Sequence, residues 1–162
     1  MTSTLWKLKS GTIVFLKFVE EVTVRQFTDM NGHLFEEVTL GVCLVEYHGY
    51  LTWQKAAEQV RTHQPCTHRP AARRLHAEVA KRFGKCASAV KFYTAVHSPL
   101  DMFHGVDCFF EFRGVMVTID VTINPGKNSG RADVVVQADD FENLPVLAAR
   151  ISGVFAEKIR RG

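Results

Sequence analysis

The clearest hydrophobic rhythm lies in the second half of the chain. Apolar residues recur at Ala72, Leu75, Val79 and Phe83, behind Pro70 and ahead of Gly84. Steps of three and four line one face of a helix, with a proline suited to its first turn and a glycine to stop it. The period then changes. Ala89 to Val96 is rich in β-formers, and His97 to Gly105 reads as a loop. Two extended runs follow around Arg113-Gly114, from Val106 to Phe112 and from Val115 to Asn124. In the second run Val115, Val117, Ile119, Val121 and Ile123 alternate with Met116, Thr118, Asp120, Thr122 and Asn124. A period of two on either side of a glycine turn predicts a β-hairpin with one apolar and one mostly polar face. Phe110 and Phe112 fall on the apolar face with Val106 and Cys108, and Phe109 falls on the polar face beside Asp107.

Another strand is predicted from Ala132 to Gln137. A final helix, capped by Asp139 or Asp140, then aligns Leu144, Leu147, Ile151, Phe155 and Ile159, with Lys158, Arg160 and Arg161 at its negative end. Residues before 63 are patterned less clearly. Asn31-Gly32 favours a hairpin between Val22 to Met30 and His33 to Leu40, a helix within Leu34 to Tyr47 being the alternative, and Thr52 suits the cap of a short helix through Val60. The proline-broken stretch from His63 to Pro70 divides the chain into an N-terminal extension, residues 1–64, packed on a core of residues 65–162. The fold class expected is α+β, a mixed central sheet built on the hairpin and flanked by helices.

Composition narrows the class. With 162 residues, 46% hydrophobic and 23% charged, the chain buries a substantial core as one domain. Its net charge of +3 permits contact with a polyanion without demanding one. Four cysteines without a CxxC pair suit a reducing cytoplasm. The apolar run from Thr12 to Val19 is interrupted by Lys17, so no membrane span or signal peptide is expected. No GxxxxGK[ST], GxGxxG or GxSxG is present, which removes the common nucleotide, dinucleotide and serine-hydrolase readings.

Chemistry concentrates on the hairpin. Counting outwards from the Arg113-Gly114 turn places Asp107 opposite Asp120, at about 4.5–5.5 Å between β-carbons, where like charges destabilise. A divalent cation, a shared proton or a neighbouring Lys or Arg would offset the repulsion. Thr122 and Asn124 extend the same polar face. His97, Asp101 and His104 lie in the preceding loop, with His104 as a general base or phosphate contact, and Phe109 is the aromatic suited to meet a substrate. Glu78 flanks the helical stripe and could point into a cleft, although Arg74 and Arg82, four residues either side, make a surface ion pair the plainer reading. His63, Cys66 and His68 supply only half of a zinc fingerprint.

A helix bearing a glutamate, a strand, and a hairpin with an acid on its first strand and an acid-x-polar triplet on its second resembles the PD-(D/E)xK nuclease superfamily, the restriction-endonuclease-like fold. The resemblance covers roughly residues 70–160, with Asp107 matching the first acid and Asp120 the second. It implies Mg²⁺ or Mn²⁺ held by Asp107 and Asp120, hydrolysis of DNA phosphodiesters, Glu78 as the helical acid and a homodimer as the common working form, and the residue pattern adds Thr122, His104 and Phe109 as the side chains facing the substrate. The triplet reads Asp120, Val121, Thr122, so threonine stands where the family has the lysine that positions or activates water. Lys127, or Lys91 on the preceding strand, is the cation expected to fill that role, because the position of the charge is what matters. The strand from Ala132 follows the hairpin without the helix that the family usually places there. A non-catalytic nucleic-acid-binding or assembly module on the same scaffold is the alternative.

Overall fold

The computed structural model describes residues 32–45, 49–63, 69–124, 126–127 and 130–162, together with two short antiparallel strands, β1 (Trp6–Lys7) and β2 (Ile13–Val14). The expected strand from Val22 to Met30 lies outside the described residues, as do Cys66 and His68. Three helices come next: α1 (Gly32–Leu40), α2 (Trp53–His63) and α3 (Pro70–Lys81). Then follow β3 (Lys91–Thr94), α4 (Pro99–His104), β4 (Cys108–Phe112), β5 (Val115–Thr122), β6 (Val134–Gln137) and α5 (Leu144–Arg161).

The four longer strands form one sheet in the order β3-β4-β5-β6. The first three run as an antiparallel meander and β6 pairs parallel to β5. The hairpin has the expected turn: Phe112 pairs with Val115, and Arg113 and Gly114 both take positive φ, 50° and 80°. Two left-handed residues match the twist of the flanking strands. Arg113, which bears a side chain there, lays its guanidinium over the Phe112 ring, 5.0 Å from its centroid.

Each face of the sheet is covered. On one, Phe110, Phe112, Val117, Ile119 and Val121 pack against Phe35 and Leu40 of α1, Leu75 and Val79 of α3, and Leu147, Ile151 and Phe155 of α5. On the other, Tyr93 and Phe109 pack against Ala56, Ala57 and Val60 of α2 and Leu100 of α4. Helices on both sides of a mixed sheet make a three-layer α+β architecture. Ile159, expected on the buried face of α5, is 48% exposed.

Several expectations are corrected. Residues 33–40 are helical, not the second strand of a hairpin: Phe35, Thr39 and Leu40 are buried on one side, and that period outweighs the Asn31-Gly32 turn signal. The segment read as a loop before Asp107 contains α4, started at Pro99 and closed by Gly105 in the left-handed region (φ 66°). Asp140 does not cap α5. It closes a capping box with Gln137 on a 3₁₀ turn, Ala138–Glu142, and α5 begins two residues later behind Asn143.

The polar face of the hairpin is no open surface either. Phe109 is fully buried, stacked on Tyr93 with ring centroids 4.9 Å apart, so it has no surface to offer a substrate. Phe110 is equally buried at the centre of the opposite face. Phe110→Ala should cost about 3–5 kcal/mol, a typical loss for a fully buried phenylalanine. Urea unfolding followed by circular dichroism measures it, and a loss under about 1 kcal/mol would show that the site collapses around the cavity.

Candidate active site

The hairpin ladder is regular as far as Cys108 opposite Ile119 and then breaks. The Asp107 N–H also turns to the Ile119 carbonyl, 2.9 Å away, so two residues of one strand face one of the other, which is a β-bulge. This corrects the pairing counted from the turn, in which Asp107 would sit directly across from Asp120. The bulge also moves Val106 off the face of Cys108 and into the cluster with Phe109. Bulging frees the Val121 N–H from backbone pairing, and Asp107 Oδ2 accepts it at 2.7 Å. The carboxylate thus replaces a rung of the ladder and is fixed by a buried hydrogen bond.

Three further carboxylates gather around it. Asp101 comes from α4, where one of its oxygens also accepts the His97 N–H at 2.8 Å. Glu36 comes from α1, whose C-terminal end is tied to the sheet by the Thr94 hydroxyl donating to the Gly41 carbonyl, 2.7 Å, and by the Cys43 N–H donating to Val96. Oxygens of Glu36, Asp101 and Asp107 lie within 4.8 Å of one another. Asp120 projects from β5 near enough to raise the pKa of both Glu36 and Asp107.

Asp107, Asp120 and Glu36 are 3%, 4% and 8% exposed. Burial first, then the charge of Asp101, pushes Glu36 up to about 8. Burial, then Glu36 and Asp101, pushes Asp107 well above the carboxylate range, against the Val121 hydrogen bond that favours its charged form. Glu36 Oε2 is buried without a hydrogen bond, and His33 Nδ1 stands 3.6 Å from it.

Lys127 supplies an ammonium, its Nζ 3.0 Å from Asp120 Oδ1. Partial burial works to lower its pKa, and the hydrogen bond and charge of Asp120 outweigh that and raise it. Local polar bonds bring it back after β5. The Thr122 hydroxyl accepts the Asn124 N–H, Asn124 Oδ1 accepts the Gly126 N–H, and the Lys127 N–H returns to the Asn124 carbonyl. Thr122, proposed from sequence to face the substrate, is 6% exposed and shapes this turn. Lys91 starts β3 opposite Glu111, four residues before Ala95, whose N–H bonds the Asp107 carbonyl. That puts it about 13 Å along the strand from the cluster.

Glu78 is not brought here. It pairs with Lys81 at 2.7 Å and lines a separate cavity of about 540 Å³ between α3 and the start of α5. His104 Nε2 bonds the Leu51 carbonyl at 2.8 Å, holding a neighbouring loop. The helical glutamate of the cluster is Glu36, missed because its segment was read as a strand. By sequence Asp101 falls with His97 and His104 in a cluster on a loop at the edge of the carboxylate face, although Ser98-Pro99 ahead of it and Gly105 behind it are start and stop signals for a short helix. No family model, curated protein or solved structure matches this chain.

Two stability predictions follow from the charges. Glu36 and Asp107 hold a proton more tightly folded than unfolded. Their contribution to stability is therefore fully present below the ordinary carboxylate pKa of about 4 and is lost as pH rises. For Glu36 the loss runs up to about pH 8. In chelator the melting temperature should fall across that window, and Glu36→Gln should flatten the fall; parallel curves for the two proteins would contradict the linkage. At Asp107, Asn keeps an acceptor for Val121, so Asp107→Asn should melt at or above wild type. Asp107→Ala should instead lose about 1–3 kcal/mol through the stranded N–H.

Proposed function

We propose that this protein is a divalent-metal-dependent nuclease acting on DNA phosphodiesters, with a restriction-endonuclease-like core. The observation that carries the reading is Lys127 Nζ at 3.0 Å from Asp120 Oδ1, beside the buried Glu36–Asp101–Asp107 cluster. The lysine of the nuclease triplet is replaced by Thr122, and an ammonium reaches the second acid from five residues further on. Position in space is what the chemistry requires of that charge.

The donor set fits a hard cation. Carboxylate oxygens suit Mg²⁺ or Mn²⁺, and the unpartnered Glu36 Oε2 is a buried acceptor that a cation would satisfy. Glu36, Asp101 and Asp107 would hold the ion, with Asp120 beside them. A cation bound there would supply Lewis-acid stabilisation of charge on a phosphate and a more acidic water. Lys127 shares one N–H with Asp120 and has two left to orient that water or a phosphate oxygen. Asp120 holds the ammonium in place, and Asp107 is itself held by Val121, so the arrangement is set before substrate arrives. No helix among the described residues is long and apolar enough to cross a membrane.

The same ion pair has a second reading: Lys127 neutralises Asp120 in a non-catalytic module that keeps the scaffold. Single-turnover cleavage with Mg²⁺ or Mn²⁺ on single-stranded, duplex and branched DNA separates the two. The nuclease reading expects Lys127→Ala to slow cleavage at least about 100-fold while leaving the circular dichroism spectrum unchanged, and Lys91→Ala to cut at the wild-type rate. It also expects Mg²⁺ to raise the wild-type melting temperature but not that of a Glu36→Gln, Asp107→Asn double variant. Absence of cleavage by wild type with every metal and substrate would leave the module reading in its place.

A further inference from the structure

Helix α4 carries Asp101 into the acidic cluster, and the residues directly after it form part of a different surface. Met102 is 54% exposed, and Phe103 meets Tyr50 edge to face, ring centroids 5.3 Å apart. The Tyr50 ring also tilts against His104 at 5.8 Å, and the Leu51 carbonyl bonds that histidine, so the loop carrying Tyr50 is fastened to α4. Tyr50 is nevertheless 66% exposed, and Trp53, three residues on, is 38% exposed. An aromatic ring braced on one side and open on the other is an unusual use of so much apolar surface.

Cations border it. A β-carbon on Gly105, the residue closing α4, would stand 3.2 Å from Arg131 Cδ and 3.9 Å from its Nη1. The Arg131 side chain therefore lies along the end of the helix. Arg131 belongs to the same β5–β6 connection as Lys127, which reaches Asp120. Since α4 has six residues, its whole length is about 9 Å, so the rings and the carboxylates lie close along one short element. Rings for bases and a cation for a phosphate, carried by or packed on one short helix, are the chemistry of single-stranded nucleic-acid binding. A duplex keeps its bases stacked inside and offers them no such face.

Resting on the nuclease reading of the adjacent cluster, we infer that the Tyr50–Phe103–His104 surface with Arg131 is a platform on which an unpaired base stacks, so that the substrate is a single strand or the unpaired segment of a branched DNA. The test is fluorescence anisotropy in EDTA with a labelled oligodeoxythymidine and a duplex of equal length. Wild type should prefer the single strand. Tyr50→Ala should weaken that binding about tenfold without changing duplex affinity, and Tyr50→Phe should restore it, since stacking needs the ring and not the hydroxyl. Arg131→Gln should weaken binding and lower its salt slope by about one.

Unchanged affinity in Tyr50→Ala, or a Tyr50→Phe variant as weak as Tyr50→Ala, would overturn the platform. So would a homodimer lost in Tyr50→Ala from a protein that binds no oligonucleotide, because the occupant would then be a second copy of the chain. The two readings fail separately, since the binding assay contains no metal and sees no cleavage. Tyr50-dependent binding by a protein that cuts nothing would keep the platform and remove the nuclease.

Discussion

The local structure at the end of the sheet turns on one electrostatic constraint: Glu36, Asp107 and Asp120 are all but buried, Asp101 joins them, and among the described residues Lys127 alone is hydrogen-bonded to one of the four as a full cation. Carboxylates are rarely buried unpaired, because desolvation and mutual repulsion both disfavour the charged form. The fold meets the excess with protons, on Glu36 and Asp107, and with the ammonium on Asp120. Neither device removes the unbonded Glu36 Oε2. A core built for stability alone would place leucine or valine at these positions, as it does at Val117, Ile119 and Val121 on the opposite face of β5.

The backbone supports this arrangement through one irregularity. Had the β4–β5 ladder continued past Cys108, the Val121 N–H would have met a carbonyl and the Asp107 side chain would have had no backbone donor on β5. The bulge exchanges that rung for a carboxylate hydrogen bond. It fixes Asp107 to β5, the strand that also bears Asp120, and so holds two acids of the cluster in one frame. Helices α1 and α4 then close over the same end, each bringing one acid. α1 is anchored through Gly41 and Cys43 to the end of β3, so Glu36 is held at the sheet although it lies far from Asp107 in sequence.

Strongly periodic elements were legible in the sequence, and those whose role depends on neighbours were not. The alternation through β5 and the Arg113-Gly114 turn placed Asp107 and Asp120 at one end of a hairpin. Pro70, Gly84 and the apolar stripe between them marked α3. The last rung escaped because a bulge depends on side-chain bonding that no pattern of apolar residues records. Glu36 escaped because Asn31-Gly32 is a strong local turn signal, whereas the burial of Phe35 and Leu40 against α3 and the sheet is a tertiary fact. Six-residue α4 is too short to show a period. The covering of the hairpin's polar face by α2 turned Phe109 from a candidate contact into core.

Lys127 is the exception that argues most about function. No helical or strand period links it to Asp120, and only the idea that the family's lysine is a charge with a location pointed to it. The structure supplies the route: Thr122 and Asn124 spend their side chains on backbone N–H groups within the turn, folding the chain so that Nζ returns seven residues to Asp120. Thr122 is thus part of what carries Lys127 to Asp120. Asp120 is 95% buried on its side-chain surface while the Lys127 side chain is 44% exposed. The pair therefore joins the buried acids to solvent.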